Sequence, residues 1–352
     1  MDYPMKTIPG YSSSKPGMQV ATKIFGNISF GKGDKLIYDM DGIRLLQQMG
    51  IEWVMINDVP EHSKRCYEHL IEDMAGFGFK VYRIANRPLH NMPAVTLNLS
   101  DRDRMVDRYL EYIRDLGEVG LHYATYAHMG NGIWRGDFRR EIRGGATGGG
   151  LDLKQPKHNL AFGNFSEPLS HGRVFSEDEI WENYTYFIKK VVPVAESAKV
   201  YIGIHPDDPP VYTIAGVPRC VFGTFEGYKR AIDIADSPNI GTCLCVGCWL
   251  EGGDRCGCGP EEFIRYFAER KKLFKVHLRN VTAPLDAEGG FNETFPDAGY
   301  GDLPHLVRVL HEVGFDGCVI NDHLVDMVGG TFASEAYFTA YLKGLVDEVQ
   351  SK

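Results

Sequence analysis

The chain has 352 residues, 43% of them hydrophobic and 24% charged, with 38 Lys and Arg against 47 Asp and Glu. That is the make-up of a globular protein, and it excludes collagen, a coiled coil and a low-complexity disordered chain. The formal charge of −9 argues against a broad nucleic-acid footprint, and no window approaches the roughly 18 consecutive apolar residues of a membrane-spanning helix. The first twenty residues are rich in Ser, Pro and Gly and lack a long apolar stretch, so a secretory leader is not expected and a cytoplasmic location is. In that compartment the eight cysteines are expected as thiols or metal ligands rather than disulfides.

Eight short apolar runs rich in β-branched and aromatic residues follow one another: 20–25, 51–57, 80–85, 122–127, 200–205, 241–246, 274–279 and 317–322. Most are continuously apolar rather than alternating, as in parallel strands covered on both faces. Helical stretches separate them. From Ser100 an apolar stripe runs through Met105, Val106, Tyr109, Leu110, Ile113 and Leu116. Ser176 and Glu179 have the spacing of a capping box, and Pro260 suits a helix's first turn. Gly50, Gly78, Gly120 and Gly314 each stand between a helix and the next strand, where a left-handed residue ends the helix. Eight strand–helix units predict an α/β fold, a single (β/α)8 TIM barrel over residues 1–352. The rival open doubly wound sheet loses ground because no G-x-G-x-x-G follows the early strands. One connection, about 129–175, is too long for a simple link and holds Gly144-Gly145 and Gly148-Gly149-Gly150. Following the fourth strand, it is expected as a lid-like insertion over the C-terminal face or as a subunit contact. A homo-oligomer, a dimer or larger, is expected on the same grounds.

Chemistry gathers at the strand ends. The fifth run ends in His205-Pro-Asp-Asp-Pro-Pro, the sixth carries Cys243-Leu-Cys245, the seventh His277-Leu-Arg279-Asn, and the eighth ends in Asp322-His323. In a parallel barrel these ends share one face, the face that carries active sites. His205, Cys245, His277 and Asp322 can therefore converge on one divalent ion; imidazole, thiolate and carboxylate together suit a first-row metal. Asp207 or Asp208 could orient His205 from behind. A separate zinc or iron–sulfur site from Cys248, Cys256 and Cys258 lacks a second clean C-x-x-C pair. Arg279 beside His277, and the loop cluster Trp134, Arg135, Arg139, Arg140 and Arg143, offer guanidinium forks for an anion. Asp137 and Glu141 would pair with that cluster if it were only a solvated stretch. His323, Glu293 and Asp302 are acid or base candidates. Tyr126 and Tyr300 are candidate pocket aromatics. The resulting expectation is a catalytic set of His323, Arg279 and Glu293 and a substrate-contacting set of Arg135, Arg143, His128 and Tyr300. No G-x-S-x-G elbow or P-loop is present.

Together these residues resemble the mannonate dehydratase family. The matching pieces are His205-Pro-Asp-Asp-Pro-Pro, Ser237-Pro238 through Gly241 to Cys245 and Gly247, His277-Leu-Arg-Asn, Phe291-x-Glu293 with Gly299 and Asp302, Gly314-Phe-Asp-Gly leading to Asp322-His323, and Ala340-Tyr-Leu-Lys-Gly-Leu. The likeness is dense from about residue 200 to 323 and diffuse before that. It implies a xylose-isomerase-like TIM barrel and a divalent metal, typically Mn2+ with Fe2+, Co2+ or Zn2+ as alternatives, held by His205, Cys245, His277 and Asp322. It also implies a small-molecule sugar-acid substrate, D-mannonate, dehydrated to 2-keto-3-deoxy-D-gluconate. The chain departs from the family pattern around the substrate. The family's Arg-Pro before Asp-His and Gly-Arg after it are absent, Pro296 replaces a His, and Ala333 and Glu335 stand near where a Tyr and an Arg are expected. An isomerase or epimerase, or a lyase eliminating from a glycoside, would use the same metal-assisted proton abstraction. A non-catalytic sugar-acid binder is the remaining alternative.

Overall fold

Eight parallel strands carry the fold: β1 Gln19–Lys23, β2 Trp53–Ile56, β3 Lys80–Ile84, β4 Tyr123–Ala127, β5 Tyr201–His205, β6 Ile240–Cys245, β7 Leu273–His277 and β8 Cys318–Ile320. The computed structural model describes residues 2–136, 140–155, 158–159 and 168–351. Each predicted run overlaps one of these strands, to within one residue at the start of β1, β6 and β7. Their lateral order is β3-β2-β1-β8-β7-β6-β5-β4, which is chain order wrapped around a cylinder. An isolated parallel bridge between Asn91 and Ala127 joins the β3–β4 side.

The outer layer is α1 Met40–Gln48, α2 Lys64–Gly76, α3 Arg102–Glu118, α4 Glu177–Ala198, α5 Phe225–Ala235, α6 Pro260–Glu269, α7 Leu303–Glu312 and α8 Gly330–Gln350. Local chemistry sets their ends. The Ser176–Glu179 capping box forms at the start of α4, and Pro260 opens α6. Gly50, Gly78, Gly120 and Gly314 have φ of 65°, 88°, 77° and 69° where the chain leaves a helix for a strand. The stripe predicted after Ser100 lies on the inner face of α3, where Val106, Tyr109, Ile113 and Leu116 are buried.

The N-terminal segment plugs the lower end of the barrel. Met5, Ile8 and Tyr11 pack against Trp53, Tyr82, Tyr123 and Phe274. The Tyr11 hydroxyl donates to the Tyr82 carbonyl at 2.9 Å and accepts from the His122 N–H at 2.8 Å. Aromatic burial there leaves the C-terminal face as the open end of the barrel.

Described parts of the long insertion, Met129 and Ile133, border the cavity at that open end. Gly150–Leu151 pairs antiparallel with Phe291–Thr294, and Arg140–Glu141 forms a small hairpin with Thr147–Gly148. The glycines serve close approach: a Cβ on Gly149 would lie 2.6 Å from a Glu293 carboxylate oxygen, and one on Gly150 2.6 Å from the Phe291 carbonyl. Arg139 and Asp137 lie outside the described residues.

Candidate metal centre and active site

His205 closes β5, Cys245 closes β6, His277 closes β7, and Asp322 follows the end of β8. Parallel register aligns them, since Cys245 is the direct partner of His277. One donor atom from each of the four lies within 4.8 Å of the others, and all four residues are buried. The donor set fits a divalent ion on two further observations. His205 Nδ1 sits 2.7 Å from the Pro206 carbonyl, which takes the ring N–H and leaves the Nε2 lone pair free. Among the described residues His277 Nδ1 is buried without a hydrogen-bond partner, 3.5 Å from an Asp322 carboxylate oxygen, while its Nε2 lies 3.5 Å from Cys243 Sγ. A buried ring nitrogen left over beside a carboxylate and a thiol is a vacant donor.

Electrostatics prepare the two anionic donors. Burial opposes ionisation of Asp322, but His323, His277 and Arg279 outweigh it and hold the carboxyl well below its ordinary range. Burial likewise opposes a Cys245 thiolate; a hydrogen bond from Cys248 and the Arg279 charge bring it well below the usual thiol value. Thiolate and carboxylate together would neutralise a divalent ion.

Behind the cluster lies a buried ionic cage. Arg135 pairs with Asp208, with Glu293 at 2.6 Å and with Glu251 at 3.4 Å. Arg279 reaches Glu251 at 2.6 Å, Glu293 at 2.8 Å and Asp208 at 3.6 Å. Its other contacts are Cys245 Sγ at 3.6 Å, Cys248 Sγ at 3.2 Å and Asp322 at 3.4 Å. Burial, reinforced by Asp208, pushes the Glu251 carboxyl well above its ordinary range, so two carboxylates face two guanidiniums. Removing one cation leaves buried carboxylates uncompensated. Arg135→Met is therefore expected to destabilise the fold by about 3–5 kcal/mol, read as a lowered urea midpoint with unchanged slope. A midpoint like that of the parent would remove Arg135 from the cage.

His323 connects cage and cavity. Its Nδ1 lies 2.5 Å from Glu293 Oε1, so Glu293 accepts the ring N–H and Nε2 is left for the cavity. The cavity, about 550 Å³, is lined on one side by His205, Asp208, His277, Asp322 and His323. Lys23, Asn57, Arg83, His90 and Asn91 line the other, and Met129 and Ile133 of the insertion also border it.

Several sequence expectations need correction. Arg135 is fully buried in the cage and Arg279 is spent on its carboxylates and thiols, so neither guanidinium borders the cavity. Glu293 is likewise buried behind His323. Arg143 is exposed, pairs with Asp297 at 2.7 Å and stacks on Phe295. Tyr300 is exposed and donates its hydroxyl to the Leu250 carbonyl. Asp302 caps α7 by accepting from the His305 N–H at 2.9 Å. Neither Asp207 nor Asp208 orients His205; the Pro206 carbonyl does. Among the described residues no metal-like cluster includes Cys256 or Cys258. Cys248 groups with Asp208 and Glu251, but the two guanidiniums occupy that space.

His128 is a core residue: buried, 2.7 Å from the Tyr126 hydroxyl, and packed among Tyr184, Phe187 and Phe222. Burial lowers its pKa to about 3. Its ordinary value is about 6.5, so the unfolded chain binds the extra proton first and stability is lost as pH falls below that value. Replacement by Phe should reduce the stability lost between pH 7 and pH 5 by about 2 kcal/mol, measured by urea unfolding at both pH values. Parallel losses in parent and variant would show that His128 does not titrate with unfolding.

The family follows from comparison with known proteins. Residues 55–352 match the family model described as D-mannonate dehydratase (UxuA). The chain belongs to the mannonate dehydratase family. A mannonate dehydratase of Streptococcus agalactiae serotype Ia is 30% identical over 321 residues, covering 84% of this chain and 90% of the relative. The crystal structure of mannonate dehydratase from Streptococcus suis serotype 2 superposes with a TM-score of 0.74 at 24% identity, covering 96% of this chain and 95% of that one. An L-ribulose 3-epimerase shares the barrel at a TM-score of 0.58 and 12% identity, over 95% and 96% of the two chains. The fold is thus a xylose-isomerase-like TIM barrel, and the family is one of hydro-lyases. No described helix is long and apolar enough to cross a membrane.

Proposed function

We propose that the protein removes water from a sugar acid, with D-mannonate giving 2-keto-3-deoxy-D-gluconate as the first reaction to test. His205, Cys245, His277 and Asp322 would hold the divalent ion, with Mn2+ first among candidates. The observation that carries this reading is the convergence of those four donors within 4.8 Å beside the cavity. An ion held by these residues would supply Lewis-acid polarisation of the acid's carboxylate end, which would acidify the C2 proton. The C2–H and C3–O bonds break, an enol forms between C2 and C3, and it tautomerises to the 2-keto acid.

The chain's own groups supply the rest. His323 Nε2 handles one of the two protons, and Glu293 fixes the ring by accepting from Nδ1. Arg135 and Arg279 hold Glu293 in turn, so both act by positioning. Met129 and Ile133 line the same cavity and offer apolar surface beside the reacting groups.

The test is product mass. Metal-stripped protein is reloaded anaerobically with manganese and given D-mannonate in D2O. A product 18 Da lighter, before deuterium uptake is counted, supports dehydration. Product of unchanged mass with deuterium at C2 would replace dehydration by isomerisation or epimerisation.

A further inference from the structure

The family reading leaves the wall opposite the metal cluster unexplained. Arg83 stands in β3 and His277 in β7, four places apart in an eight-stranded cylinder, so they face each other across it. Arg83 is only 9% exposed and lines the cavity. Its Nη2 donates to Asn57 Oδ1 at 3.2 Å, and among the described residues no carboxylate pairs with it. Lys23, also on this wall, donates from Nζ to the Asp322 carbonyl at 2.8 Å, again without a carboxylate partner. Arg87, at the exposed rim, pairs with Asp58 at 2.7 Å. The cavity's two acids, Asp208 and Asp322, both belong to the metal side and are engaged there.

A buried guanidinium without a counter-charge is costly, and folds retain one where a ligand supplies the missing anion. A sugar acid held at its carboxylate end by the metal cluster directs its far end toward Arg83. Resting on the dehydration reading, we propose that Arg83 receives a second anionic group at that far end. The preferred substrates are then acids anionic at both ends, and the second anion is a terminal carboxylate or a terminal phosphate ester. Guanidinium geometry suits both through paired N–H donors.

Manganese-loaded protein is assayed on D-mannonate, on the corresponding hexarate and on the 6-phosphohexonate, as parent and as Arg83→Met and Arg83→Lys. The parent is expected to favour one dianion over D-mannonate by about 10- to 100-fold in kcat/KM, and which one identifies the second anion. That ratio should fall toward one in Arg83→Met and partly persist in Arg83→Lys, with the change in KM rather than kcat. A merely structural role would lower Tm; here Arg83→Met should unfold no lower than the parent without substrate. A parent that favours D-mannonate, or a ratio unchanged in Arg83→Met, overturns the proposal. If no sugar acid loses water, the dehydration reading fails, and Arg83 is judged by calorimetry with inorganic phosphate. Binding to the parent that is lost in Arg83→Met supports the anion site, and equal or absent binding overturns it.

Discussion

Replacing His277 with alanine removes the metal and the turnover together. The substitution takes away a buried ring nitrogen without a hydrogen-bond partner and leaves Cys245 and Asp322 to hold an ion with His205 alone. Three donors of a four-donor set bind more weakly, and the Lewis-acid contribution of several kcal/mol goes with the ion. Turnover is expected to fall by at least about 10³-fold. Metal content by mass spectrometry and kcat on the same preparation decide the matter. Full turnover with metal still bound would reject the ligand assignment.

His323→Ala separates proton transfer from metal binding. His323 borders the cavity but stands outside the four-donor cluster, and its ring is held by Glu293. The variant should keep a full complement of metal while kcat falls by about 10²- to 10⁴-fold, the usual scale for a lost acid or base. KM should move little, because the substrate's anionic groups are held elsewhere. Unchanged kcat would take His323 out of the chemistry, and loss of metal would make it a ligand.

The fold was legible because its signals are local. A strand needs five or six residues to declare itself, and a capping box or a helix-ending glycine needs even fewer; Ser176, Glu179 and Gly314 are seen in the sequence and again in the structure. Strand ends transfer to a shared face through topology alone, which is why His205, Cys245, His277 and Asp322 could be placed together. The arginines were not legible. Arg135 meets Glu293 across 158 positions of chain, and nothing near Arg135 indicates a buried cage rather than a substrate clamp. The wall of Lys23, Asn57 and Arg83 was missed for another reason. Arg83 lies in a run read only for its apolar neighbours, and a register shift between Val54 and Met55 breaks the simple alternation of inward positions. The available signal was a charge inside an otherwise buried strand, Lys80-Val-Tyr-Arg83-Ile-Ala, which needs a partner or a function. The Gly148–Gly150 run suggested a lid by length and composition; its glycines answer to Glu293 and Phe291 beneath them, contacts that only the fold reveals.

A single divalent ion beside His323 is expected to make the loss of water possible. Titrating manganese into metal-stripped protein, while following the product 18 Da lighter than D-mannonate or its preferred dianionic analogue, tests it most directly. No product is expected without metal, then a linear rise and a plateau at one equivalent per chain. Product at full rate without metal, or metal bound at one equivalent with no water lost from any of these acids, would contradict it.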